Sequence, residues 1–126
     1  MSLHDRVLDN GLTVLDTEVN RLDICHTKPT TYEQATSTYT VGNKVSPSVG
    51  SPAAASPNGR KVTVAQITDG TITETSTDTS DDAQFWALTD TTNSRLLADG
   101  ILASAQMVTS DNTFTLAAFD IRIPSE

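Results

Sequence analysis

The pattern of hydrophobic and polar positions separates a helical first segment from a strand-rich remainder. Within residues 3–20 the apolar positions lie four, three and four residues apart, at Leu8, Leu12, Leu15 and Val19. This spacing places them on one face of a helix. The competing interpretation is a hairpin turn at Asn10-Gly11, a dipeptide typical of tight turns between strands. The helix is favoured because the apolar spacing continues well past that turn.

From residue 21 onwards apolar and polar residues alternate in short runs, as they do in strands with one buried face. The runs cover residues 21–26, 37–44, 61–67, 71–75, 84–90, 95–98, 101–105, 112–119 and 121–123. Short antiparallel strands at this spacing are typical of a sandwich or a barrel. Between the first two runs, residues 32–35 are predicted to form one helical turn capped by Thr30 or Thr31.

Turn residues separate several of these strands. Asp69-Gly70 lies between residues 61–67 and 71–75, which predicts a hairpin. Asp99-Gly100 is predicted to be a turn between two further strands, and polar turns are predicted at residues 91–94 and 110–112.

The run 84–90 carries apolar residues on both faces. Trp86 and Leu88 point to one side of a strand, whereas Phe85 and Ala87 point to the other. A strand of this kind is expected in the centre of a sheet, covered on both sides.

A segment rich in serine, proline and alanine, residues 45–59, interrupts the strands. Three of its residues, Pro47, Pro52 and Pro57, exclude a central strand. Two interpretations remain open: an exposed loop without a role, and an extended arm that grips a neighbouring molecule. Candidate protein–protein contacts are these three prolines and the apolar helix positions: Pro47, Pro52, Pro57, Leu8, Leu12 and Leu15.

Together these patterns predict one domain over residues 1–126, with the helix in residues 1–20, the loop or arm at 45–59 and a β core at 60–126. The predicted fold class is mainly β: an antiparallel β-sandwich, jelly-roll or immunoglobulin-like, with one N-terminal α-helix. Apolar residues make up 37% of the chain, below the roughly 45–50% of compact domains, an average that also counts glycine. The core is therefore expected to be thin, with neighbouring subunits contributing to stability.

The net charge of −8 makes nucleic acid and anionic membranes poor partners, because affinity for phosphates comes from Lys and Arg. The eight basic residues are scattered, and only Arg60 and Lys61 are adjacent. The first residues have neither a basic region nor an apolar core, so no signal peptide is expected. We expect the protein to be made, and to stay, in a cytoplasm until it is assembled or released.

Few residues suggest chemistry. Cys25 is the single cysteine, so an internal disulfide is excluded, and it is expected to be a small buried residue. His26 follows it directly, but neighbours on a strand point to opposite faces and cannot form a catalytic pair. The acidic loop 78–82 lacks the ligand spacing of a calcium loop. We expect no catalytic residue, no cofactor and no metal site.

Several strand and turn segments of this chain form a recognisable set. They are residues 86–90 (WALTD), 94–100 (SRLLADG), 108–116 (VTSDNTFTL) and 119–124 (FDIRIP), and residues 22–25 (LDIC), 29–32 (PTTY) and 39–44 (YTVGNK). In these segments the chain resembles a family of small virion proteins from tailed bacteriophages and prophages. The resemblance implies a virion component rather than an enzyme and transfers no catalytic residue.

Two placements within a particle follow from the resemblance. A capsid decoration or cement protein, bound to the major capsid protein, fits the small size, the acidic and threonine-rich surface and the possible arm. A tail, neck or fibre-associated ring protein would use the helix as its docking element. A non-viral binding module is the third alternative. All three make the chain an adhesive protein, expected to form homo-oligomers.

Overall fold

The structure is a computed structural model that describes residues 5–123, and for residues 5–8 and Thr79 it describes the backbone alone. Among the described residues many more lie in strands than in helices, which makes the fold mainly β. Within the described residues, helix α1 (Asp5–Glu18) precedes nine strands. These are β1 (Arg21–Cys25), β2 (Thr40–Val45), β3 (Ala53–Ala54), β4 (Arg60–Val64), β5 (Ile67–Ile72), β6 (Ala83–Asp90), β7 (Arg95–Gln106), β8 (Thr113–Leu116) and β9 (Phe119–Ile123).

The strands of the described part form two antiparallel sheets. The larger sheet has the order β7-β6-β1-β2-β5-β8, and the smaller has the order β3-β4-β9. Val64 of β4 and Phe119 of β9 pack in the same apolar cluster as Leu22 and Leu88 of the larger sheet. The prediction of a mainly β fold with antiparallel sheets and one N-terminal helix is therefore confirmed. The larger sheet curls into a half-barrel, however, and the two sheets do not clearly close into a sandwich.

Helix α1 confirms the helical interpretation of the first segment, because Asn10 and Gly11 lie inside it. Leu12 and Leu15 are buried against Val62 of β4. The helix is therefore held by its apolar face, as its spacing predicted, and it packs on the smaller sheet.

Both predicted Asp-Gly turns are wrong. Asp69-Gly70 lies inside β5 and Asp99-Gly100 lies inside β7. Gly70 is paired with Phe114 on β8, and Gly100 is paired with Trp86 on β6. A Cβ atom would lie 2.2 Å from the Phe114 ring at Gly70 and 2.4 Å from the Trp86 ring at Gly100. The glycines therefore leave room for aromatic rings that lie across the neighbouring strand, a packing known to compensate glycine in sheets.

The loss of the first turn also changes the pairing. The predicted hairpin between residues 61–67 and 71–75 does not form, because β4 pairs with β3 and β9 whereas β5 pairs with β2 and β8. The predicted strands 95–98 and 101–105 join into the single strand β7.

Other boundaries follow the prediction more closely. The cap at Thr31 is confirmed, since its hydroxyl accepts the N–H of Gln34 at 3.2 Å. The helical turn continues to Thr38 as a π turn, which delays the start of β2. Residues 84–90 are central as predicted, between β1 and β7. The predicted strand 112–119 divides, because Phe119 begins β9.

A buried carboxylate holds the turn that follows β6. Asp90 is 2% exposed. Its carboxylate accepts the backbone N–H of Thr92 at 2.9 Å and the side-chain amide of Asn93 at 2.8 Å. The Asn93 amide is the largest of the influences that lower the pKa of Asp90. The ionised form of Asp90 therefore stabilises the fold.

We expect Asp90→Ala to lower the melting temperature by several degrees at pH 7, because the turn loses these acceptors. A carboxyl whose folded pKa is depressed contributes stability above its ordinary value of about 4 and loses it as the pH falls through the folded pKa. The difference in melting temperature between the wild type and the variant should therefore narrow as the pH falls below about 4. Thermal unfolding followed by circular dichroism at several pH values measures it.

The matched control is Asp82→Ala, which removes the same charge at a carboxylate with no hydrogen bond to another described residue. It should leave the melting temperature nearly unchanged at pH 7. If the melting temperature of Asp90→Ala stays below that of the wild type by the same amount from pH 7 to pH 2, the ionised carboxylate has no stabilising role.

Candidate functional site

Two of the three candidate contact residues of helix α1, Leu12 and Leu15, lie inside the fold. Leu12 is 1% exposed and Leu15 is 8% exposed, and both pack against Val62. They are therefore not available at the surface to a second protein, which corrects that part of the prediction. The side chain of Leu8 lies outside the described residues.

The proline-rich segment 45–59 lies along the chain's own smaller sheet. The N–H of Gly50 donates to the carbonyl of Thr63 at 2.9 Å, and the N–H of Ala65 donates to the carbonyl of Ser48 at 2.8 Å. The Arg122 guanidinium donates to the carbonyls of Ser56 and Asn58, both at 2.9 Å. In this chain the segment is therefore an ordered sheet edge and does not project as an arm.

The three prolines of this segment differ in exposure. Pro47 is buried, Pro52 is half-buried and Pro57 is exposed. Only Pro52 and Pro57 present surface to a neighbour, and their contact with a partner stays a prediction.

A buried ion pair lies on the face of the larger sheet that carries the π turn. The Arg21 guanidinium donates to both carboxylate oxygens of Asp23, at 2.7 and 2.9 Å. The Thr40 hydroxyl donates to the same carboxylate at 2.7 Å, and Arg21 also reaches the carbonyl of Thr36 at 3.3 Å. Burial raises the pKa of Asp23 against the lowering effect of these hydrogen bonds. The pair joins β1 to β2 and to the π turn, so its role is structural.

Cys25 is buried as predicted, with 0% exposure. Its thiol lies 3.6 Å from the carbonyl of Ala35, and burial raises its pKa to about 12. The thiolate is the reactive form, so this cysteine is unreactive near neutral pH. The ring of His26 packs on Tyr39, with centroids 5.5 Å apart, and no hydrogen bond joins it to the thiol within the described residues.

The acidic loop uses its own hydrogen-bond donors. Asp78 accepts the N–H and the hydroxyl of Ser80. Asp81 accepts the N–H and the hydroxyl of Thr77. Among the described residues, no group of three or more His, Cys, Asp or Glu side chains is placed to hold a metal ion.

An apolar cleft of about 460 Å³ lies between the two edge strands of the half-barrel, β7 and β8. Its walls and floor include Leu102, Met107, Phe114, Leu116, Ile24 and Ile72. A neighbouring hollow of about 170 Å³ shares Leu102 and Leu116 and reaches Trp86 and Phe119. None of the described residues that line either space is charged. This lining suits apolar, uncharged groups.

The strands beside the apolar cleft have unpaired backbone. The β6–β7 pairing passes from Phe85–Ile101 to Ala83–Gln106, so residues 102–105 lie opposite Gln84 alone. Within the described sheets, β7 and β8 have no neighbour on their outer sides. Backbone N–H and C=O groups at such edges are available to another chain. The apolar cleft can therefore hold an extended segment by both its side chains and its backbone.

Sequence reasoning did not identify the apolar cleft. A signal was present, since residues 100–110 contain no charged side chain, although charged residues make up 19% of the chain. Ile101 and Met107 within this run are 74% and 79% exposed. An uncharged run with exposed apolar residues points to an interface.

Comparison of the chain with protein-family models, curated proteins and solved structures gives no match. The resemblance to virion proteins therefore stays a prediction. No helix in the described part of the chain has the length and apolar character needed to cross a membrane.

Proposed function

We propose that this chain is a non-catalytic structural component of a tailed-phage virion, and specifically a capsid decoration or cement protein that binds the outer shell. The virion assignment is based on the sequence resemblance. The observation that supports an adhesive role is the apolar cleft, which is uncharged along its described lining and bordered by two unpaired sheet edges. The proposed partners are the major capsid protein and further copies of the chain, without nucleic acid or membrane. Assembly would take place in the host cytoplasm.

Decoration is favoured over the alternative of a tail, neck or fibre-associated ring protein. The ring placement depended on the helix as a docking element. The described apolar positions of α1, Leu12 and Leu15, already pack on Val62 within the chain. A non-viral binding module is the remaining alternative and would use the same apolar cleft.

For the fold, we propose an open variant of the β-sandwich expected from the sequence, of the jelly-roll or immunoglobulin-like type. The support is the packing of Val64 and Phe119 from the smaller sheet onto Leu22 and Leu88 of the larger sheet. The curl of the larger sheet then accounts for the gap at the apolar cleft.

Quantitative mass spectrometry of purified particles from a phage that encodes this chain tests the function. We expect a copy number close to that of the major capsid protein. Deleting the gene should weaken the shell against heat while the tail remains attached. About six or twelve copies per particle would favour the ring protein instead, and absence from the particle would overturn the virion assignment.

A further inference from the structure

The four outer strands of the two sheets differ in how well they resist pairing with another molecule. β3 has two residues and lies between Pro52 and Pro57, and proline blocks edge pairing. β9 carries charges at Asp120 and Arg122, which also oppose it. The second half of β7 and all of β8 contain neither charge nor proline. These two edges border the apolar cleft.

Charge restricts which surface two copies can share. Each chain carries a net charge of −8, so two copies repel each other unless their contact excludes like charges. The run 100–110 meets this requirement because it contains no charged residue. The side of β7 that faces away from β6 has no neighbouring strand in the described sheets, so its backbone is open to a second copy.

The two exposed apolar side chains of this run are placed symmetrically. Ile101 and Met107 lie three residues before and three residues after Ser104, and they are 74% and 79% exposed. In an antiparallel pair, two copies of the run centred on Ser104 place residue 101 of one copy opposite residue 107, the first residue after β7, of the other. Both large apolar side chains of each copy then gain an apolar partner.

We propose that the run 100–110 pairs with the same run of a second copy about a two-fold axis at Ser104. Ile101 of each copy packs on Met107 of the other, and the unpaired β7 edges complete each other's hydrogen bonds. The inference rests on the proposed function for its purpose, because a shell-binding protein must present an adhesive surface. It deepens that function by assigning the contact between copies to the border of the apolar cleft.

Sedimentation velocity of the full chain at increasing concentration tests the pairing. We expect a reversible dimer for the wild type. Ile101→Lys places a charge against Met107 and should therefore raise the dissociation constant of the dimer by about tenfold or more. Val45→Lys is the matched control, because Val45 is 65% exposed and lies outside the run. It should leave the dimer unchanged, and circular dichroism should show all variants folded.

Opposite charges test the register. A mixture of Ile101→Lys and Met107→Glu should form a mixed dimer more tightly than either variant pairs with itself, because the new lysine and glutamate face each other. Any of three results would overturn the inference. They are a wild type that is monomeric at all concentrations, an Ile101→Lys variant that dimerises with unchanged affinity, and a Val45→Lys variant that loses as much dimer affinity as Ile101→Lys. A monomer still found in particles would overturn the inference and leave the proposed function standing. A chain that dimerises as expected but is absent from particles would support the inference and overturn the proposed function.

Discussion

Replacing Gly100 with alanine is expected to lower the free energy of unfolding by about 3 kcal/mol, at the upper end of what overpacking costs. The added Cβ would lie 2.4 to 2.7 Å from three atoms of the Trp86 ring. That ring cannot move aside easily, because β6 lies between β1 and β7 and the ring packs on Phe119 with centroids 4.6 Å apart. Alanine usually gains about 0.5–1 kcal/mol over glycine inside a strand, which the clash outweighs.

The same change at Gly70 should cost less, about 1–2 kcal/mol. Its Cβ would lie 2.2 Å from the Phe114 ring, but Phe114 is on the edge strand β8 and borders the apolar cleft, so its ring has space to turn. Gly50→Ala is the matched control, because its nearest contact is an ordinary 3.7 Å. Denaturant unfolding followed by the fluorescence of Trp86, the only tryptophan, measures the wild type and all three variants.

A double variant identifies the clash as the cause. In a Trp86→Leu background the ring is absent, so adding Gly100→Ala should cost little further stability, and the two changes should be non-additive by about 2 kcal/mol. Circular dichroism replaces fluorescence in this background. Additive effects would show that the loss at Gly100 comes from its backbone and not from Trp86.

Arg21→Met is expected to destabilise the fold by about 3 kcal/mol at pH 7, because removing one partner leaves a buried carboxylate without its counter-charge. The Asp23 side chain is 0% exposed and that of Arg21 is 25% exposed. The alternative for the variant is to protonate Asp23, which costs about 1.4 kcal/mol for each pH unit between its pKa and the solvent pH. Denaturant unfolding at pH 7 measures the loss.

The stability lost in Arg21→Met is expected to depend on pH in one direction. Burial already raises the folded pKa of Asp23, and losing Arg21 raises it further. A group with a raised folded pKa contributes stability below its unfolded value, about 4, and loses it as the pH rises through the folded pKa. The deficit of Arg21→Met should therefore be largest at neutral pH and shrink as the pH falls towards 4.

Arg95→Met provides the control for this prediction. Arg95 pairs with Glu18 at 3.7 Å, with side chains 61% and 36% exposed, and exposed pairs contribute about 0–1 kcal/mol. If Arg21→Met lowers the free energy of unfolding no more than Arg95→Met does, the buried pair contributes nothing measurable to stability.

Several elements were predictable because they depend on residues close together in the chain. The spacing of Leu12 and Leu15 predicts α1, and the alternation around Trp86 predicts a central strand. Thr31 caps a turn through a residue three positions away.

Pairing and exposure were decided by the tertiary structure. Asp69-Gly70 and Asp99-Gly100 are compatible both with tight turns and with straight strands. The choice depends on Phe114 and Trp86, whose rings occupy the space where a Cβ would lie. These rings arrive from other strands, so no local pattern contains the information.

Which apolar residues form the exposed contact surface at Ile101 and Met107 also depends on residues far apart in the chain. The sequence by itself determined which residues are apolar and which runs are uncharged. The tertiary structure decided that Leu12 and Leu15 pack inside, whereas Ile101 and Met107 remain exposed beside an open sheet edge. Burial depends on which strands lie next to a side chain, and that is settled by the curl and order of the whole sheet, not by hydrophobicity along the chain.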